Sequence, residues 1–173
     1  VVVECTAGEN LLELARVDNG AVRAAFEDTD LSGLVEEELL PFEPVYFERG
    51  LELDCAVEPD LHVLGSPRHL RQMVSILLDN AVNHAPGGSA VRLYLRRQGG
   101  AALLTVTNPG DLSREDCRNI FLRFYRVDAA RSGGGYGLGL PIAQGIIRDH
   151  GGKIWAESRD GTVILTVRIP LRD

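Results

Sequence analysis

Two pairs of alternating apolar runs, each pair joined by a tight turn, constrain this chain more than any other feature. In the first pair, Val91, Leu93 and Leu95 alternate with Arg92, Tyr94 and Arg96. Gln98-Gly99-Gly100 turns the chain, and Ala102, Leu104 and Val106 mark its return. In the second, Lys153 to Ser158 precedes Thr162 to Pro170, with Val163, Leu165, Val167 and Ile169 on alternate positions. Period-two apolarity makes half-buried strands, and so short a turn joins only antiparallel neighbours. A Rossmann-type βαβ pattern is excluded.

Helical patterns fill the rest. Pro67 suits a first turn, and Leu70, Met73, Val74, Leu77 and Ala81 recur at three- and four-residue spacing to about His84, before Pro86-Gly87-Gly88. Residues 31–49 predict a second helix, apolar at Leu31, Leu34, Val35, Leu39, Phe42, Val45 and Tyr46. Pro41 and Pro44 should kink or divide it, and Glu36, Glu37 and Glu38 are placed near its start, where the dipole favours negative charge. Leu51–Val57 and Leu61–Leu64 read as strands. Ser113 caps a short helix over roughly 114–121, and another opens at Gly137, carries Pro141 in its first turn and stops at Gly151-Gly152. Upstream, Glu9–Val17 is a short helical stretch ended by Asn19-Gly20, and 21–30 is a polar, acidic connection. The sum predicts a two-layer α/β sandwich: a mixed, largely antiparallel sheet covered on one face by helices.

Composition narrows the function classes. The chain has 173 residues and 18 − 25 = −7 formal charges. An acidic surface argues against general binding to nucleic acid or anionic membrane. Cys5, Cys55 and Cys117 are too few and scattered for a disulfide framework or zinc site, so a reducing compartment is the simpler reading. No apolar run reaches bilayer length, and Val1-Val2-Val3 lacks the basic flank of a signal peptide.

Three motifs carry chemistry. Gly133-Gly134-Gly135-Tyr136-Gly137-Leu138-Gly139-Leu140 leads into a helix, where backbone amides and the helix dipole favour an anion. It lacks the Lys-Ser/Thr of a Walker loop, and alone it also reads as a flexible linker. Asn80 lies at the border of an apolar helical stripe, beside Ile76, Asn83 and His84. Its carbonyl oxygen suits Mg²⁺, though a surface asparagine is the plain alternative. Asp79 points the other way, as a solvated carboxylate. Thr107-Asn108-Pro109-Gly110 ends a strand, where an amide can read a base edge or simply complete a turn.

In order and spacing these motifs, with Ile120-Phe121-Leu122-Arg123-Phe124-Tyr125-Arg126 between them, resemble the ATP-binding catalytic domain of two-component sensor histidine kinases. That domain shares its Bergerat-type fold with DNA gyrase, the heat-shock chaperone and mismatch-repair proteins. Leu70–Ala85 looks like the asparagine box, Asn108–Gly110 the first glycine box, Ile120–Arg126 the phenylalanine box and Gly135–Leu140 the second glycine box. Leu11–Gly20 looks like the end of the dimerisation and phosphoacceptor hairpin. The resemblance implies a hairpin remnant over 1–20, a linker over 21–27 and the catalytic domain over 28–173.

The resemblance also implies roles. Asn80 would ligate Mg²⁺ on ATP, Asn108 would accept from the adenine amino group, and Arg123 or Arg126 would neutralise phosphate charge. Residues 122–136 would form a mobile lid. Asn83, His84, Gly110, Tyr125, Tyr136 and the box Gly135, Gly137, Leu138, Gly139 and Leu140 would complete the nucleotide site. The partners implied are ATP, the chain's own hairpin, a response-regulator receiver domain and a second copy of the full-length protein. The place implied is the cytoplasm, below a membrane-anchored sensor.

Several positions depart from the pattern. Asn108 replaces an aspartate, which predicts weaker nucleotide affinity. Asn83 replaces a phosphate-facing lysine, and His84 an aromatic. Ile76 stands where related ATPases carry a glutamate base, and it cannot take a proton, so fast ATP hydrolysis is not expected. None of His62, His69, His84 and His150 lies in an acceptor-like context, so the acceptor is expected upstream of Val1. Phosphoryl transfer to that histidine is the leading reading. A degenerate signalling module that binds nucleotide weakly or not at all is the alternative.

Overall fold

Backbone pairing sorts seven strands into two sheets in the computed structural model, which describes residues 26–127 and 137–172. In chain order the elements are β1 (Glu27–Asp30), α1 (Leu31–Leu39), a 3₁₀ turn (Leu40–Phe42), α2 (Glu43–Glu48), β2 (Glu52–Val57), β3 (His62–Gly65) and α3 (Pro67–His84). There follow β4 (Ala90–Gln98), β5 (Ala101–Pro109), α4 (Arg114–Asn119), α5 (Gly139–Asp149), β6 (Lys153–Arg159) and β7 (Thr162–Pro170). The main sheet runs β2-β4-β5-β7-β6, and β1 pairs with β3 in a two-stranded sheet. Only β2 and β4 are parallel in the main sheet, and α3 lies in the crossover between them. The predicted mixed, largely antiparallel sheet is therefore the observed one.

The alternation of each strand fixes which face is covered. Val91, Leu93 and Leu95 of β4, Ala102, Leu104 and Val106 of β5, and Leu165, Val167 and Ile169 of β7 are buried under the helices. The register sets these residues in transverse rows, for example Leu95, Leu104 and Val167. From the other layer α3 adds Leu70, Met73, Val74, Leu77, Leu78, Ala81 and Val82. Leu31, Leu34 and Val35 of α1 and Ile142, Ala143, Ile146 and Ile147 of α5 complete one core. The turn of the second hairpin uses Asp160 and Gly161, both at positive φ, which matches the twist of its strands.

Three expectations about the N-terminal part change. Residues 27–30 form β1 rather than a connection, because pairing with β3 supplies the ladder that the sequence Glu-Asp-Thr-Asp does not advertise. Phe26 and Glu27, assigned to a linker, belong to the packed body: Phe26 stacks on the His150 ring at 4.5 Å. Glu36, Glu37 and Glu38 lie in the second half of α1, since Leu40-Pro41-Phe42 breaks the helix into two pieces. Arg71 of α3 bonds both Glu37 and Glu38 there and offsets their position at the wrong end of the dipole. The helical stretch at 9–17 lies outside the described residues.

His150 ties the layers together. It is buried; its Nε2 accepts from the Ser66 N–H at 3.0 Å and its Nδ1 donates to the Ile146 carbonyl at 2.6 Å. One nitrogen accepting and one donating requires the neutral ring, and burial lowers its pKa accordingly. Ser66 is the N-cap residue just before α3, so the imidazole joins the end of α5 to the start of α3. No helix among the described residues is long and apolar enough to cross a membrane.

Candidate functional site

The buried stripe of α3 faces the sheet, which leaves Asn80 half-buried at its edge, with Ile76 one turn earlier and Asn83 and His84 exposed at the helix end. α5 packs on α3 at this level. A Cβ on Gly139, the first residue of α5, would lie 3.4 Å from Ile76 Cγ2. The helix that the glycine cluster opens therefore starts one turn from Asn80. It starts two residues later than expected because Gly137, at φ +69°, is not helical. Leu138 and Leu140 are buried in the core, so what they offer an anion is backbone amide rather than side chain. Gly135 and Tyr136 lie outside the described residues.

The phenylalanine-box segment is clasped to the same glycine. Phe124 donates its N–H to the Gly137 carbonyl at 3.0 Å. Phe124 takes φ +63° to do so, a left-handed backbone that is costly for a bulky residue. A Cβ on Gly137 would sit 2.8 Å from the Tyr125 carbonyl oxygen and 2.9 Å from the Phe124 carbonyl carbon, so only glycine fits. Tyr125 is held from the other side: its hydroxyl donates to Asp116 Oδ1 at 2.6 Å. Asp116 also closes the capping box of α4 with Ser113.

Asn108 lies at the end of β5, opposite Val163 of β7, and is buried. It shares the parity of Leu104 and Val106, so it faces the helical layer. Its Nδ2 donates to the Pro109 carbonyl at 3.0 Å, which leaves Oδ1 as the acceptor that an amino group needs. Gly110 donates to the Gly161 carbonyl at 3.0 Å and fixes the turn after the strand.

Electrostatics link α3 to the phenylalanine box. His84 has a lowered pKa, first from desolvation and then from the positive charge of Arg126. Of the two arginines proposed from sequence, Arg126 is thus the one felt at the end of α3; Arg123 is exposed. Asn83 donates to Asp79 Oδ2 at 3.2 Å, so this amide serves α3 itself. Asp79 is exposed as expected, yet desolvation raises its pKa against the lowering effect of that bond. No three His, Cys, Asp or Glu side chains group as a metal site among the described residues. A lone Asn80 oxygen suits an ion that arrives with phosphates and water, not one caged by protein.

Residues 65–173 match the family described as histidine kinase-, DNA gyrase B- and HSP90-like ATPases. The chain belongs to that family. Within it, the similarity is to sensor kinases. The sensor protein DltS of Streptococcus agalactiae is 34% identical over 94% of the chain, which spans 42% of DltS. The histidine kinase AdeS of Acinetobacter baumannii shares 26% identity at a TM-score of 0.74, over 96% of this chain and 77% of that one. Full-length ShkA, in complex with AMPPNP, superposes at 0.81 with 25% identity, over 94% of this chain and 34% of ShkA. The chain thus carries the ATPase catalytic domain of the sensor histidine kinases, and it spans less than half the length of curated relatives such as DltS.

Within this kinase domain, sequence reasoning missed Asp116 and its bond to Tyr125. The signal was present as Ser113-x-x-Asp116, the capping-box spacing. It marks a helix start, however, and does not name the third partner that Asp116 holds.

Proposed function

We propose that this domain binds Mg·ATP between α3, the end of β5 and the start of α5, and donates the γ-phosphoryl group to a histidine on a helical hairpin of the full-length kinase. The observation that carries the reading is the packing of Gly139 against Ile76, which brings the glycine-box helix start within one turn of Asn80. On this reading Asn108 Oδ1 accepts from the adenine amino group, and Arg126 and the α5 amides face the phosphates. Asn80 would hold the Mg²⁺, which would supply charge neutralisation to the phosphates. The bond from the γ-phosphorus to the bridging oxygen breaks, ADP leaves, and a bond forms to the acceptor imidazole nitrogen. Catalysis rests on positioning and electrostatics. Ile76 offers no base to a water, which favours transfer over hydrolysis. The phosphoryl group then passes to an aspartate of a response regulator, and the full-length protein works as a membrane-anchored homodimer with this domain in the cytoplasm.

The acceptor belongs to another segment on this reading. His150 is buried with both nitrogens engaged, His62 Nδ1 is 3.0 Å from Asp28 Oδ1, and His69 Nδ1 is 2.8 Å from Ser66 Oγ. The test is phosphotransfer from labelled ATP in a chain extended upstream through the hairpin. Label on the hairpin histidine, lost in Asn80→Ala, is expected; label on any histidine of the present chain refutes the assignment. The second reading, a degenerate module, is favoured by one feature: Asn83 is engaged by Asp79 and no lysine replaces it. Calorimetry that shows no ATP binding at millimolar nucleotide would select it.

A further inference from the structure

Asp116 uses its two carboxylate oxygens for different tasks. Oδ2 accepts from the Ser113 N–H at 3.2 Å and from the Ser113 hydroxyl at 2.6 Å, which completes the capping box of α4. Oδ1 accepts from the Tyr125 hydroxyl at 2.6 Å, nine residues on. The bonds from Ser113 and Tyr125 hold the carboxyl below its ordinary pKa, so at neutral pH it is ionised and acts only as an acceptor. A hydroxyl this close to a carboxylate makes a charge-assisted bond, the stronger kind. Capping α4 needs Oδ2 alone, so the bond to Tyr125 serves something other than the helix start.

Tyr125 belongs to a segment that packing leaves loose. Phe121 packs against the core, but beyond it Leu122 and Phe124 are 55% and 62% exposed. Phe124 nevertheless keeps the left-handed backbone that brings its N–H to the Gly137 carbonyl. Such a conformation persists where its surroundings fix it. Two backbone bonds curl the segment locally, from the Leu122 N–H to the Asn119 carbonyl at 2.8 Å and from the Tyr125 N–H to the Leu122 carbonyl at 3.2 Å. The Tyr125 hydroxyl then ties the residue after Phe124 back to the first turn of α4.

Both ends of the clasp lead to the proposed nucleotide site. Gly137 lies two residues before α5, whose first residue, Gly139, packs on Ile76 one turn from Asn80. Arg126 follows Tyr125 directly, and its charge reaches His84 at the end of α3. A shift of Tyr125 therefore displaces the cation and loosens the approach to the α5 amides together.

We infer that Asp116 is a positioning residue: through the Tyr125 hydroxyl it holds the Phe124–Gly137 clasp closed, and so sets Arg126 and the start of α5 for the phosphates. This inference rests on the Mg·ATP reading above.

The test joins two measurements, made well below Tm on folded protein. Amide exchange of Phe124 by NMR, without nucleotide, reports the clasp, and calorimetry reports ATP affinity. In Tyr125→Phe, which keeps the ring, the Phe124 amide is expected to exchange about tenfold faster or more, and the ATP Kd to rise about threefold or more as the competent fraction falls. Asp116→Ala should match it, and the double variant should be no worse than either single one, because one bond is lost in all three. Asp116→Asn keeps an oxygen for the hydroxyl and should recover most of both losses. Ser32→Ala is the control for stability alone: it removes a buried hydroxyl of α1 that donates to the Glu58 carbonyl at 2.6 Å, and it should lower Tm with Phe124 exchange and ATP affinity unchanged. Phe124 exchange unchanged in Tyr125→Phe, faster exchange with an unchanged Kd, or an Asp116→Asn variant as impaired as Asp116→Ala overturns the inference. A parent that binds no ATP overturns the nucleotide reading and with it the role at that site, whereas Phe124 exchange decides the link from Asp116 to the clasp by itself.

Discussion

Replacing His150 with phenylalanine keeps a ring against Phe26 and removes the only acceptor that the structure gives the Ser66 N–H. Ser66 is 2% exposed, so water does not replace that acceptor. A buried donor left unmade costs about 1–3 kcal/mol. The other lost bond matters less, because the backbone N–H of His150 also donates to the Ile146 carbonyl, at 3.1 Å. The expected destabilisation of His150→Phe is therefore about 1–3 kcal/mol. His150→Ala adds the lost stacking, about 0.5–1.5 kcal/mol, and a cavity. Urea unfolding at pH 7.5 measures both. The pH dependence supplies a second check. Burial depresses the folded-state pKa of His150 below its ordinary 6.5, so the folded state favours the neutral ring. The stabilising contribution is full above that value and is lost as pH falls below it toward the depressed pKa, because the unfolded chain takes up the proton first. His84 titrates in both proteins and cancels. The advantage of the parent over His150→Phe should thus shrink on acidification from pH 7.5 to pH 5. A variant within about 0.5 kcal/mol of the parent at pH 7.5, or an advantage that grows on acidification, would refute the tautomer and the Ser66 bond.

Two further substitutions probe the site. Gly137→Ala places a Cβ 2.8 Å from a backbone oxygen at φ +69°, so the Phe124 clasp must open. Left-handed strain adds about 1–2 kcal/mol, so Tm should fall by about 2–8 °C, and ATP affinity should fall at least tenfold; unchanged affinity by calorimetry would separate the clasp from nucleotide binding. Asn108→Asp restores a charged acceptor and should tighten ATP by about three- to tenfold. Unchanged or weaker binding means that the base is read by another group.

Much of this arrangement was legible in the sequence where periodicity is strong. α3 begins at Pro67 and ends at His84, as its apolar spacing predicts, and both hairpins fall where their alternation put them. β1 was not legible: Glu-Asp-Thr-Asp has little strand propensity, and its partner β3 lies more than thirty residues on. At the site, the glycine and asparagine boxes were visible as residue types at a spacing. The clasp was not, because it depends on Phe124 adopting a backbone angle that its side chain disfavours. The role of His150 was hidden for a similar reason, since both of its long-range partners are brought by the fold rather than by neighbours in sequence.

The β5–β7 ladder pairs Ala101 with Pro170 and Pro109 with Thr162, so it joins a strand before Val127 to one after Gly137. Those two parts of the polypeptide also share the α3–α5 packing and the His150 bond to Ser66. The covalent link between them is therefore not what keeps them together. Two separately made polypeptides, one ending near 127 and one beginning near 137, should reassemble into a single species on gel filtration. This kinase domain is in that sense a heterodimer written as one chain, and a protease nick between its parts would leave the fold standing.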